Sequence, residues 1–181
     1  KAKTVGDIAG YATSVPELLT ITTSSLRGLT GASVYNILSS NVINDMDTVI
    51  NNENLTDNQK EKYRDILKKQ YQDLKYDVVS EKYDGDNATV EVKIKVYDLY
   101  KVQKDANDYL TTSGDEFKQN GVFSNDLFMN YKLDKMKKTT DTVEYNIIFN
   151  VTKDDKGNYK VTDLSNSDLE KIHGVYNYDN D

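Results

Sequence analysis

The chain contains no cysteine and no tryptophan, and only one proline and one histidine. Each shortage closes a chemical route. Without Cys there is no disulfide scaffold, no thiol nucleophile and no Cys-based zinc site. His173 is left as the single imidazole. No run approaches the roughly 18 consecutive apolar residues that a membrane-spanning helix requires, and no short apolar leader segment is visible near Lys1. Acidic residues outnumber basic ones, 30 to 23. A net charge of -7 and a pI near 4.8 argue against nucleic acid as a partner, because a phosphate backbone is held by a basic face that displaces counterions.

What is present fits a folded domain. Hydrophobic residues make up 37% and charged residues 29%, too much Val, Ile, Leu and Tyr for a disordered chain. At 181 residues a single domain can bury roughly 70% of the surface its unfolded form exposes, so neither metal nor disulfide is needed to hold it together. No repeat, Gly-rich linker or shift in composition marks a boundary within 1–181. The basic residues are nearly all Lys, with Arg27 and Arg64 the exceptions.

The pattern along the chain predicts an α+β fold. Ser14 before Pro16 starts a helix over about 16–26, and Val34, Ile37, Leu38 and Val42 suggest a second short one. Thr56 and Gln59 form a capping box for a helix over about 57–74, in which Tyr63, Ile66, Leu67, Tyr71 and Leu74 share one face. The period then changes from 3.6 to 2. Ala88, Val90, Val92, Ile94 and Val96 face one way and Thr89, Glu91, Lys93, Lys95 and Tyr97 the other, as in a half-buried antiparallel strand. The run 76–83 supplies its partner, with Asp84-Gly85-Asp86-Asn87 as the hairpin turn.

From 100 to about 138 the chain is helical in character, punctuated by Gly114 and Gly121. Val143, Tyr145, Ile147, Phe149 and Val151 then alternate, 154–158 turns, and Tyr159 and Val161 return. This predicts an antiparallel sheet of at least four strands. Ser167 to Glu170 reads as a further capping box and Gly174 as a C-cap, giving a terminal helix over 168–173 and a fraying tail at 175–181. The domain thus divides into a helical part at about 1–74 and a sheet with a helical excursion at about 75–174.

Helices first, then the hairpin from Tyr76 to Val92 around Asp84-Gly85-Asp86-Asn87, then the excursion, then a hairpin around Lys156-Gly157-Asn158-Tyr159-Lys160-Val161 resemble a known group. The arrangement is similar to uncharacterised exported lipoproteins of Gram-positive bacteria that share a cystatin-like, nuclear-transport-factor-like cone. The resemblance spans about 16–173. It implies N-terminal helices packed on a curved sheet, a concave pocket, and a tether outside the cytoplasmic membrane through a lipidated Cys upstream of Lys1. It implies no catalytic residues and no cofactor, because that fold hosts isomerases, dehydratases, binding domains and assembly modules alike.

Few residues call for chemistry. His173 at the end of the last helix reads as a capping or surface residue favoured by the helix dipole. The acidic turns at 84–87 and 154–158 lack the spaced ligands and distal Glu of a calcium loop, so no metal is expected. Tyrosine is in excess at 14 residues, and its ring offers apolar area with a polar tip suited to a sugar or peptide. Tyr97, Tyr100, Tyr109 and Tyr131, in or beside the excursion, are the candidate ligand-binding residues. Three readings follow: a non-catalytic binding domain for a small molecule, glycan or envelope protein; an isomerase- or dehydratase-like enzyme using Asp98 as general base with a Tyr hydroxyl; and an envelope assembly module. With no nucleophile elbow, phosphate loop or dinucleotide fingerprint, binding is the preferred one.

Overall fold

A computed structural model describes residues 48–51, 53–153, 155, 159–161 and 164–181. The helices expected at about 16–26 and around 34–42 lie outside the described residues. A helical turn at 48–51 precedes helix α1, Asp57–Asp73. The start of α1 is set locally: the Gln59 N–H donates to the Thr56 hydroxyl at 3.2 Å while the Thr56 N–H donates to Gln59 Oε1 at 3.0 Å. This reciprocal pair satisfies two groups that the first turn otherwise leaves open.

Strands β1 (Lys75–Asp84) and β2 (Asn87–Tyr97) follow, then helix α2 (Leu99–Thr112) and a 3-10 turn at Gly114–Phe117. Next come the two-residue strands β3 (Lys118–Gln119) and β4 (Val122–Phe123) and helix α3 (Asn125–Lys138). Strands β5 (Thr142–Lys153) and β6 (Tyr159–Val161) and helix α4 (Asn166–His173) complete the order. The main sheet runs β1-β2-β5-β6 and is antiparallel throughout. The α+β class, with helices on an antiparallel sheet, is therefore the observed one.

The two faces of the sheet follow from the alternation. Ala88, Val90, Val92, Ile94 and Val96 of β2 are each 4% exposed or less, and Ile147, Phe149 and Val151 of β5 are buried beside them. Val92 pairs with Ile147 and Val90 with Phe149, so the rows form one apolar surface. Helix α1 covers it with Tyr63, Ile66, Leu67 and Tyr71, whose spacing of three and four keeps them on one stripe. Fully burying a side chain such as Leu67 or Phe149 contributes roughly 1.5–3 kcal/mol.

Strand β1 is the sheet's edge among the described residues, and its ladder shifts register between Val78 and Ser80. That irregularity, with Lys75, Asp77, Glu81 and Lys82 along the strand, blunts the edge against pairing with another chain. The β1–β2 turn closes between Asp84 and Asn87, and within it Gly85 takes φ +60.

Four expectations change. The excursion is not purely helical: Asn120 (φ 53) and Gly121 (φ 80) turn β3 back onto β4, the positive-φ pair typical of a tight hairpin. Helix α4 is capped by Ser165 rather than Ser167, with the Asp168 N–H donating to the Ser165 hydroxyl at 3.0 Å. The tail does not fray. It forms a 3-10 turn at Tyr178–Asn180, the Tyr178 hydroxyl donates to Asp98 at 2.7 Å, and the Tyr100 hydroxyl and Lys104 both reach Asp179.

His173 is likewise not a surface residue. It is fully buried, and its Nε2 hydrogen-bonds the Tyr71 hydroxyl of α1. Helix α4 is pressed onto α1, so its last turn belongs to the core.

Candidate functional site

The four candidate tyrosines lie in three places. Tyr109 and Tyr131 are stacked, with ring centroids 5.2 Å apart, and Tyr131 meets Phe117 edge-on at 5.2 Å. With Ala106 and Phe128 they form a small aromatic core between α2 and α3, open on one side to a shallow surface bounded by Val102, Asp105, Lys135 and Lys138. Tyr100 faces the tail instead, edge-on to Tyr178 at 5.0 Å. Tyr97 ends β2 and is separate from both groups.

Asp98, the candidate general base, is 6% exposed and occupied on both oxygens. Oδ1 accepts the Lys101 N–H at 3.0 Å and so caps α2, while Oδ2 accepts the Tyr178 hydroxyl at 2.7 Å. Each oxygen of this carboxylate thus already accepts one hydrogen bond from the fold. Its partnership with a Tyr hydroxyl is an internal joint between helix cap and tail.

A concave cleft of about 310 Å³ lies between α1 and α3. Lys62, Asp65, Ile66 and Lys69 line it from α1, and Asn130, Leu133, Asp134 and Lys137 from α3. Both sets repeat at i, i+3, i+4 and i+7, so each is one face of its helix. Ile66, Leu99, Leu133 and Met136 supply a buried apolar floor. Gln59 ties the helices together at one end, donating to Asn130 Oδ1 at 3.2 Å.

Tyr97 also borders the cleft. Its hydroxyl donates to Asp73 Oδ2 at 2.6 Å, and the Lys69 ammonium stands 5.1 Å from its ring centroid. The bond to Asp73 pushes the Tyr97 phenol up to about 12, with burial and the Asp73 charge adding to it. This phenol is a fixed wall and hydrogen-bond donor, not an acid at neutral pH.

The charges of the cleft are unevenly partnered. Asp65 pairs with Lys68 at 3.6 Å and Asp134 with Lys138 at 2.9 Å, both lysines outside the lining. The bond to Lys138 holds the Asp134 carboxyl below the usual carboxylate range, with the charges of Lys138, Lys135 and Lys137 contributing. Among the described residues no ion pair engages Lys62, Lys69 or Lys137. Of the candidate tyrosines only Tyr97 borders this cleft. The lysine and leucine positions on α1 and α3 were readable as helix faces, but their meeting depends on how the helices pack.

Among the described residues no group of three or more His, Asp or Glu side chains is placed to hold a metal ion, and no helix is long and apolar enough to cross a membrane.

No protein-family model matches the sequence, and no match is found among curated proteins. One similar solved structure is the crystal structure of a "putative lipoprotein (ycdA)" from Bacillus subtilis, 13% identical, with a TM-score of 0.44. The alignment covers 96% of this chain and 58% of that one, so this chain spans little more than half the length of that relative. An overlap of that size transfers no residue role and no activity.

Proposed function

We propose that this chain is a ligand-binding domain of a bacterial envelope lipoprotein, displayed outside the cytoplasmic membrane, and that it holds its ligand without transforming it. The observation that carries the reading is the α1–α3 cleft, whose apolar floor and polar rim are the usual make-up of a small-molecule site. The ligand is a small molecule, with a glycan or an envelope protein as alternatives. Catalysis asks for groups in matched roles, and Asp98, the candidate base, already serves as a cap and as the acceptor for Tyr178. The location rests on the acidic, Cys-free composition and on the resemblance of the two hairpins to exported lipoproteins. A cystatin-like cone is the matching fold, supported by α1 lying on the inner face of an antiparallel sheet.

The test is a screen for isomerisation, dehydration and hydrolysis with the wild type and an Asp98→Asn variant. No turnover by either is expected. Turnover by the wild type that vanishes in the variant would replace this reading with the enzymatic one.

An assembly module is the second reading, favoured by the exposed side chains Val122, Phe123 and Leu127 at the β4–α3 corner. Self-association in sedimentation velocity that Phe123→Ser abolishes would select it.

A further inference from the structure

We infer that the α1–α3 cleft takes a single-chain amphiphile with an anionic head, a carboxylate or a phosphate monoester, its head against Lys62, Lys69 and Lys137 and its tail along Ile66, Leu99, Leu133 and Met136. This rests on the cleft being the binding site. The argument begins from charge. A protein of net charge -7 repels anions at long range, so an anion site needs a local surplus of positive charge. The cleft has one: its lining carries three lysines against two carboxylates, and Asp65 and Asp134 make their ion pairs with Lys68 and Lys138, outside the lining.

The geometry separates head from tail. Lys62 and Lys69 stand seven residues apart on α1 and flank Ile66, while Lys137 stands one turn along α3 from Leu133. Lysines therefore outnumber carboxylates on the rim, and hydrocarbon lies on the floor. Lys69 lies over the Tyr97 ring, which restrains its ammonium at the cleft wall at little cost in its hydration. A neutral sugar would leave the apolar floor unused, and a cation would meet the wrong sign at the rim. About 310 Å³ is at the small end for ligand pockets, which suits a short hydrocarbon chain better than a two-chain lipid.

The intact chain, labelled with nitrogen-15, is titrated at low salt with octanoate, octyl phosphate, octanol and octyltrimethylammonium, each below its aggregation threshold. Saturable amide shifts at Ile66, Tyr97, Leu133 and Lys137 are expected for the two anions, weakening as salt screens the lysines. The relative affinity of octanoate and octyl phosphate identifies the head group. Replacing all three lysines (Lys62→Gln, Lys69→Gln, Lys137→Gln) should weaken octanoate at least tenfold, about 1.4 kcal/mol, with the melting temperature little changed because all three are exposed. Lys93→Gln, on the far face of the sheet, should leave the affinity as it is. Octanol or the cation binding the cleft as tightly as octanoate, or the triple variant binding undiminished, would overturn the anionic head while leaving the cleft a binding site. Failure of all four probes to shift the cleft would overturn the amphiphile, its tail as well as its head.

Discussion

The Tyr178 hydroxyl donates to Asp98 Oδ2 at 2.7 Å, joining the C-terminal tail to the residue that caps helix α2. Because Asp98 also holds the junction between β2 and α2, with its own N–H donating to the Asp141 carbonyl at 2.9 Å, the tail braces the point where sheet and excursion meet.

Removing that hydroxyl is the direct test. Tyr178→Phe keeps the ring against Tyr100 but deprives a nearly buried carboxylate of one donor, which costs roughly 1–3 kcal/mol. A lower melting temperature and faster amide exchange across 176–181 are expected. Unchanged exchange would mean that the ring contacts and the bonds of Asp179 to Tyr100 and Lys104 hold the tail without this hydroxyl.

The faces of the sheet make a paired prediction. Val92 is fully buried against Ile147, whereas Lys93, opposite Asn146, is exposed. Val92→Asp places an unpaired carboxylate in the core and should cost at least about 3 kcal/mol. Lys93→Asp should stay within about 0.5 kcal/mol of the wild type. Thermal melts showing the two variants equally stable would contradict the assignment of the faces.

What was legible in the sequence is what depends on one segment at a time. The alternation of 88–96 and 143–151 and the 3.6 period of 57–73 describe faces that turn inward, and they are buried except at Val143 and Tyr145, which are partly so. Asn120-Gly121 carried a hairpin signal too, overlooked because strands of two residues offer no period to read. Residues whose surroundings come from distant segments were not legible. His173 sits in a helix of eight residues that looks like a surface element until α1 is laid across it. The short tail is polar enough to suggest fraying, yet Tyr176, Tyr178 and Asp179 all find partners up to 80 residues away. The cleft behaves the same way: each lysine reads as a solvated helix position, and only the packing of α1 on α3 gathers three of them.

Glycine substitutions separate strain from collision. Gly174 has φ +77, and a Cβ there would stand 2.2 Å from both the Tyr97 carbonyl oxygen and Gln70 Nε2. Gln70 cannot yield freely, since it donates to the Tyr97 and His173 carbonyls and accepts the Tyr97 N–H. Gly85 has φ +60 but open space around it. Gly85→Ala should therefore show backbone strain alone, about 1–2 kcal/mol. Gly174→Ala adds the clash and should exceed it clearly in urea melts, with chemical-shift changes spreading to Gln70 and Tyr97. Equal costs would mean that α4 moves aside without penalty.

Alkaline pH tests the tyrosines as a group. Burial raises the phenol of Tyr63, with the Glu53 charge adding to it, and burial together with the Asp98 charge pushes Tyr145 up to about 12. Hydrogen bonds to carboxylates act first at Tyr97, from Asp73, and at Tyr178, from Asp98, and both are raised. An unfolded tyrosine titrates near about pH 10. The folded pKa values therefore lie above the unfolded one, so the stabilisation belongs to the protonated phenol. It is fully present below about pH 10 and is lost as pH rises through about 12. Neutral pH should leave stability flat as far as these groups are concerned. Following tyrosinate absorbance should reveal an early step from well-solvated phenols and a later step that coincides with loss of helical circular dichroism. In Tyr97→Phe the late step should shrink by one phenol. If all 14 tyrosines titrated together near pH 10 with the fold intact, these four would be solvated and the packing described around them would be wrong.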